Sequence, residues 1–396
     1  MLPPDDLGDL FLGCRPAEAV HVTAGQDHRC NMNKQRFTAA LRQFAPGVLI
    51  ALSLSTSSRV IAQNDGAAGA PPPPGTLVDI GGYRLHIDCQ GTGDPAVVML
   101  AGGGDFSFDW SLVQPGVARF TRACAYDRAG LAWSDLGPTP RTMRQDAHEL
   151  HLLLERSGVK GPVVLVGHSV GGLIARVYVD RYPGTVAGLV LVDSTHEDTT
   201  LMLNGKVVRV REGARGASIP PVQTMKTSPP APPSAADKEQ FELNRKIFGP
   251  PKIEPPFDRL PSRIQQLRLW ALSHPKLAAR GEDFWADELQ AMYTARKTRP
   301  QPLGDTPLAV LIGGKESDAP PGVAADDWKR LAAEKREQKL GFADLSRNSK
   351  VVIDQKSGHH VALENPELVV DTIRQVVEAA RHGGKLERRS EQRSGQ

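Results

Sequence analysis

The sequence is short of several things, and each shortage closes off a class of function. It has four cysteines in 396 residues. None forms a Cys-x-x-Cys pair or sits at zinc-ligand spacing from histidine, so no thiol redox or zinc motif is written here. Aromatics make up 5% of the chain, with no stacked-aromatic motif for nucleic-acid bases. Lys and Arg number 48 against 45 Asp and Glu, and the resulting +3 is no electrostatic footprint for nucleic acid. No GxGxxG or GxxxxGK[ST] run offers a cradle for nucleotide phosphates. The apolar run at residues 45–54 is too short to span a bilayer comfortably, and there are no internal repeats.

The first 75 residues do not read as globular. Residues 1–31 carry no sustained periodicity and read as an upstream extension. From Met32 the pattern changes. Lys34, Arg36 and Arg42 precede the apolar run Ala45 to Leu54, and small residues follow, with Val60 and Ala62 at the two positions a signal peptidase inspects. Residues 32–62 are therefore expected to be a signal peptide, with translation from Met32 and a periplasmic or secreted mature chain. Residues 63–75, rich in Gly, Ala and Pro, read as a linker. Processing would remove Cys14 and Cys30 and leave Cys89 and Cys124.

What is present gathers around one stretch. Val163-Val164-Leu165-Val166 is a short apolar run after Gly161-Pro162. It leads into Gly167-His168-Ser169-Val170-Gly171-Gly172, and a helical pattern continues to Tyr182 before Pro183-Gly184. Strand, sharp turn and helix form the context of a nucleophile elbow. A serine hydroxyl is a poor nucleophile unless it stands clear of the backbone beside a base. Glycines on either side let strand and helix come that close, and the helix N-terminus puts amide donors next to Ser169.

The remaining chain alternates between strand and helix patterns. Thr76–Ile80 and Tyr83–Cys89 flank Gly81-Gly82 as a hairpin. Ala96–Ala101 and Thr121–Tyr126 read as strands, Thr142–Arg156 as an amphipathic helix, and Ala187–Val192 as another buried strand. Between residues 195 and 307 the alternation breaks. Pro and Lys cluster from Met225 to Pro256, which reads as poorly ordered, and helical patterning returns at Ile264–His274 and Asp283–Lys297. A stretch this long between two strands is expected to be an inserted lid. Strand Leu308–Ile312, helix Ala325–Lys339, strand Lys350–Asp354 and a helix starting at Pro366 with Asn365 as its cap complete the pattern. The core is expected over residues 76–194 and 308–380, with 381–396 a disordered polar tail.

Two features complete a constellation for acyl transfer. Gly102-Gly103-Gly104 follows the Ala96–Ala101 strand, where backbone N–H groups can meet an oxyanion. Gly103 and Val170 are the expected donors. Ser357-Gly358-His359-His360 follows the last strand, making His359 the expected general base and His360 the reserve, while His168 reads as a packing or pocket residue. The carboxylate that holds the base has three candidates, Asp193, Glu316 and Asp318. Asp193 is favoured because it follows Leu189–Val192 with no intervening residue, at the carboxyl edge of the sheet.

The segments Asp109-Trp110, Tyr126 to Gly130, Gly167 to Gly172, Leu189 to Asp193 and Ser357-Gly358-His359 together make the chain from about Thr76 to Ala380 resemble the α/β-hydrolase-fold family. The resemblance implies an eight-stranded, mostly parallel sheet with helices on both faces, a Ser–acid–His order along the chain, and no metal or other cofactor. It also places the strands bearing Cys89 and Cys124 side by side, so that the two could pair in an oxidising compartment. Two departures stand out: Ala101-Gly102 replaces a His-Gly common in the family, and Glu316-Ser317 occupy places where many members carry a Gly-x-x-Asp acid. The expected function is hydrolysis of small-molecule carboxylic esters through an acyl-Ser169 intermediate. An amidase, a lactonase and a cofactor-free haloperoxidase are the alternatives on the same fold, and a non-catalytic ligand-binding protein the alternative outside it.

Overall fold

The computed structural model describes residues 70–203, 206–224, 232–278, 284–319 and 322–386. The expected upstream extension and signal peptide lie outside the described residues. Eight strands form one sheet: β1 (Thr76–Asp79), β2 (Arg84–Gln90), β3 (Val97–Leu100), β4 (Ala123–Tyr126), β5 (Val163–His168), β6 (Val186–Val192), β9 (Leu308–Gly313) and β10 (Ser349–Asp354). Their spatial order is β1-β2-β4-β3-β5-β6-β9-β10. The pairs β1–β2 and β2–β4 are antiparallel, and every later pair is parallel. The mostly parallel sheet expected from the sequence is the one observed.

Strand periodicity explains how this sheet builds two cores. Successive side chains of a strand point to opposite faces. Val98, Leu100, Leu165, Leu189, Leu191 and Val310 fall on one face, and Val97, Met99, Val164, Val166, Val190 and Leu311 on the other. The first face is covered by helices α2 (Met143–Arg156) and α3 (Val170–Arg181) through Leu150, Leu153, Leu173 and Tyr178. The second is covered by α1 (Gln114–Val117) and α9 (Pro366–His382), the latter through Val369, Ile373, Val376 and Val377. Each such side chain, once buried, contributes roughly 1.5–3 kcal/mol of transfer free energy. That continuous burial on both faces is why these strands read as unbroken apolar runs.

Cys89 and Cys124 are partners in the β2–β4 register and form a disulfide, with their Cα atoms 4.0 Å apart. Thr142 caps α2 by accepting the Gln145 N–H at 3.0 Å. Asn365 caps α9 through the Leu368 N–H.

The segment between β6 and β9 differs from its sequence reading. It holds the hairpin β7 (Thr200–Leu203) and β8 (Lys206–Arg209), then α4 (Ala235–Phe248), α5 (Ser262–Leu272) and α6 (Trp285–Thr298). Helix α4 lies inside the Pro-rich stretch expected to be poorly ordered. Its start is a capping box, in which Ser234 Oγ accepts from the Asp237 N–H at 3.1 Å and Asp237 accepts from the Ser234 N–H at 2.8 Å. The insert is tied to the core by charge. Glu197 accepts from Arg176 of α3 at 2.6 Å and from Arg296 of α6 at 3.0 Å. Glu288 of α6 accepts the Met143 and Arg144 N–H groups at 2.8 and 3.2 Å, at the otherwise unpaired start of α2.

The C-terminal segment also runs on past its expected end. Helix α9 reaches His382 and stops at Gly383, whose φ of 65° is the left-handed conformation that ends helices. Arg381 donates to the carbonyls of Asp94 and Phe120, and Leu386 is buried. Residues 381–386 are thus docked on the core, and 387–396 lie outside the described residues. Helix α7 (Ala325–Leu340) lies between β9 and β10, and the one-turn α8 (Val361–Glu364) precedes α9.

Candidate active site

Strand β5 ends at His168 and α3 begins at Val170, so the whole reversal falls on Ser169. Its backbone sits at φ 51°, ψ −123°, a conformation that costs a non-glycine residue of order 1–3 kcal/mol and persists only where its surroundings over-determine it. Here they do. The Ser169 carbonyl accepts from the N–H groups of Gly172 and Thr195, and the Ser169 N–H donates to the Val192 carbonyl. The flanking glycines are a matter of clearance. A Cβ on Gly171 would stand 2.3 Å from the Leu100 carbonyl, and one on Gly167 2.5 Å from the Gly172 Cα. The Ser169 hydroxyl lies 3.4 Å from Thr195 Oγ1, and the residue is only 3% exposed.

The three sheet-edge candidates for the acid lie in different surroundings. Asp193, immediately after β6 and also at positive φ (41°), places Oδ2 2.7 Å from His359 Nδ1. Glu316 and Asp318 are exposed, and neither contacts His359 among the described hydrogen bonds. Asp193 is held on every side. Its Oδ1 accepts the Gly313 N–H at 2.9 Å, and its Oδ2 also accepts from Lys339 Nζ at 2.5 Å. Burial pushes this carboxyl up, but the Lys339 ammonium and the His359 contact outweigh it and hold it well below the usual carboxylate range. Asp193 is therefore an anion across ordinary pH. Because its Oδ2 can only accept, His359 carries its proton on Nδ1 and keeps Nε2 as the basic nitrogen.

The glycine loop after β3 is pinned by a residue to which sequence reasoning assigned no role. Arg128, just beyond β4, is buried, and its guanidinium donates to the carbonyls of Ala101, Gly102 and Gly103 at 2.5, 2.7 and 3.2 Å. With three successive carbonyls drawn to one fork, the amide groups of that loop are directed elsewhere. Among the described hydrogen bonds, neither the Gly103 nor the Val170 N–H is spent on a protein acceptor. Arg128 stands in the quoted run Asp127-Arg128-Ala129-Gly130, but nothing local marks what its side chain reaches. Lys339 and Thr195 were missed in the same way, because each meets the site only through the fold.

His360, the reserve base, does not share the Asp193 contact. Its ring lies against Phe257 of the insert, with centroids 4.7 Å apart, and beside His168. His168 turns away from the serine. Its Nε2 faces the His359 carbonyl at 3.0 Å and its Nδ1 faces Asp105 Oδ2 at 3.2 Å. Arg268 of α5 binds Asp105 at 3.2 Å and also Asp109, and it stacks 3.4 Å over Phe257. The insert therefore meets this corner through one guanidinium and one aromatic ring.

A family model described as "Alpha/beta hydrolase family" matches residues 97–372. An AB hydrolase superfamily protein of Gibberella zeae is 24% identical over 72% of this chain and 87% of its own length. A probable transporter of Hormonema carpetanum is 38% identical over 132 residues, 31% of this chain. The chain spans about a fifth of the length of the first curated relatives it matches, 19% of that protein and 23% of a Saccharomyces cerevisiae vacuolar membrane protein. A solved thermophilic esterase from Thermogutta terrifontis shares the fold, with a TM-score of 0.51 and 21% identity over 75% of this chain and 94% of that one. Among the described residues no helix is long and apolar enough to cross a membrane.

Proposed function

The chain belongs to the alpha/beta hydrolase family, and from that premise we propose that it hydrolyses carboxylic esters of small molecules through an acyl-Ser169 intermediate. The observation that carries this reading is the 2.7 Å contact between His359 Nδ1 and the ionised Asp193, which leaves His359 Nε2 free to act as base. Ser169 Oγ attacks the ester carbonyl carbon while His359 Nε2 takes its proton. The Gly103 and Val170 N–H groups receive the charge that develops on the carbonyl oxygen. The tetrahedral intermediate collapses, the C–O bond to the alcohol breaks, and His359 returns the proton to the departing oxygen. Water then repeats the attack, and the acid leaves with Ser169 restored. No cofactor enters any step.

We read the 195–307 insert as a lid. Ser169 is buried, and the cavity that His168 lines beside the elbow measures about 20 Å³, room for a water rather than an ester. Substrate entry therefore requires the insert to shift, which breaks the Arg268 contacts to Asp105 and Asp109. We also keep export, with cleavage after Ala62, as part of the proposal. The Cys89–Cys124 disulfide supports it, since such bonds persist in oxidising compartments. N-terminal sequencing of the exported protein should read from Gln63, and intact residues 32–62 on soluble cytoplasmic protein would end that claim.

The activity is tested with acyl esters of graded chain length beside lactones and amides. Ester turnover should dominate, and Ser169→Ala should lower it by on the order of 10⁶ while leaving the fold intact. A serine-directed phosphonate should label Ser169. Labelling elsewhere, or faster turnover of lactones or amides, would replace this reading with one of the alternatives on the same fold.

A further inference from the structure

The chemistry proposed above uses no metal, yet a group of side chains behind the elbow has the makings of a metal site. The first observation concerns His168. Its Nε2 lies 3.0 Å from the His359 carbonyl, which can only accept, so that nitrogen carries the ring proton. In a neutral imidazole, Nδ1 then bears a lone pair, and it points at Asp105 Oδ2 from 3.2 Å. Two acceptors at that range repel unless a positive centre sits between them. A second proton on His168 is one such centre, and a metal ion is the other.

The second observation is what else faces the same space. His360 is buried, and its ring nitrogens have no partner among the described hydrogen bonds. One ligand atom each from Asp105, His168 and His360 lie within 4.8 Å of one another. They line a cavity of about 20 Å³ together with Asp109, whose Oδ1 is buried without a hydrogen-bond partner. A buried acceptor left unpaired costs roughly 1–3 kcal/mol, so a polar occupant is called for, and this cavity holds about one ion or one water.

We propose that Asp105, His168 and His360 bind a divalent transition metal of the zinc class, with Asp109 accepting from a water on its open position. The donor set of two imidazoles and one carboxylate suits zinc, cobalt, nickel or copper better than magnesium or calcium, which take all-oxygen shells. The separation of 3.2 Å between His168 Nδ1 and Asp105 Oδ2 is close to the edge, about 3.3 Å, of a tetrahedron with bonds of about 2.0–2.1 Å. His360, whose ligand atom lies within 4.8 Å of the other two, closes the remaining gap by a movement of up to about 1.5 Å. The outer contacts are those ligands usually have: His168 donates its other N–H to a carbonyl, and Asp105 Oδ1 is held by Arg268 at 3.2 Å. Bound metal ties the loop after β3, the elbow and the loop after β10 to one point beside the insert.

The test uses the untagged full chain, stripped with chelator and then freed of it. Titration with Co²⁺ should give the visible absorption of a tetrahedral site, saturating at one ion per chain. Zn²⁺ should displace it, and millimolar Mg²⁺ or Ca²⁺ should not. Zn²⁺ should also raise the thermal midpoint. His360→Gln should weaken Co²⁺ binding by about 100-fold or more. Crystals of the unmutated protein grown with Zn²⁺ should show an anomalous peak between the three side chains, a measurement that needs no variant to fold. No Co²⁺ band in the unmutated chain, unchanged affinity in His360→Gln, displacement by Ca²⁺, or an anomalous peak elsewhere would each overturn the proposal. The first of these outcomes would assign the positive centre between His168 and Asp105 to a proton.

Discussion

Replacing Asp193 with asparagine is the most direct probe of the site, because the structure dictates how the new amide must sit. Oδ1 of Asp193 accepts the Gly313 N–H at 2.9 Å. Turning the amide NH₂ toward that donor would set two N–H groups against each other, so the asparagine keeps its carbonyl oxygen there. Its NH₂ then occupies the Oδ2 position, facing His359 Nδ1 and Lys339 Nζ. His359 must now accept at Nδ1 and carry its proton on Nε2, the tautomer that cannot take a proton from Ser169. Lys339, whose side chain is 18% exposed, can swing toward water, so the fold should survive. Loss of the orienting carboxylate lowers turnover by about 10⁴-fold in comparable triads, equivalent to about 5 kcal/mol in the barrier. The assay is kcat for the best ester, beside far-UV circular dichroism to confirm folding. KM should change little, since Asp193 is buried and its oxygens are taken up by Gly313, Lys339 and His359. A rate within about tenfold of the unmutated enzyme would refute the reasoning, and a collapse in Asp318→Asn instead would move the acid to the loop after β9.

Three further outcomes follow from other parts of the molecule. Burial pushes Glu288 up to about 7 despite the two backbone N–H groups it accepts. The folded protein thus holds this proton more tightly than the unfolded chain. Stability from this group is full below about pH 4.5 and is lost as pH rises toward 7. Glu288→Gln should remove on the order of 3 kcal/mol from the difference between urea unfolding at pH 4.5 and pH 7.5, and an unchanged difference would refute the assignment. Replacing Cys89 and Cys124 together with alanine opens a link spanning 35 residues. The unfolded state should gain about 4 kcal/mol of loop entropy, read as a lower denaturation midpoint, and a shift under about 0.5 kcal/mol would contradict it. Arg128→Lys replaces a fork that spans three carbonyls with a single ammonium. The glycine loop should lose its aim, lowering kcat by about 10²-fold with KM nearly unchanged, whereas a rise in KM alone would mean that Arg128 serves binding.

The amino-acid sequence by itself determined the frame. Unbroken apolar runs marked the two-sided strands, the Gly-x-Ser-x-Gly spacing marked the elbow, and Asn365-Pro366 marked the start of the last helix. These are local signals, carried by residues within a turn or two of one another, and local sterics and periodicity are enough to encode them. The same logic could have found α4, because Ser234 and Asp237 form its capping box, but the surrounding prolines masked that signal. Only the tertiary structure decided which groups meet. Asp193 and His359 are 166 residues apart, Lys339 and Asp193 146, and Arg268 and Asp105 163. Each contact exists because strand order and helix packing bring distant ends to one edge of the sheet. No pattern along the chain records that Arg128 reaches three carbonyls, or that His168 turns from the serine toward Asp105. Contact across the fold depends on the direction of side chains after packing, and a linear sequence holds that information only in the sum of all its local choices.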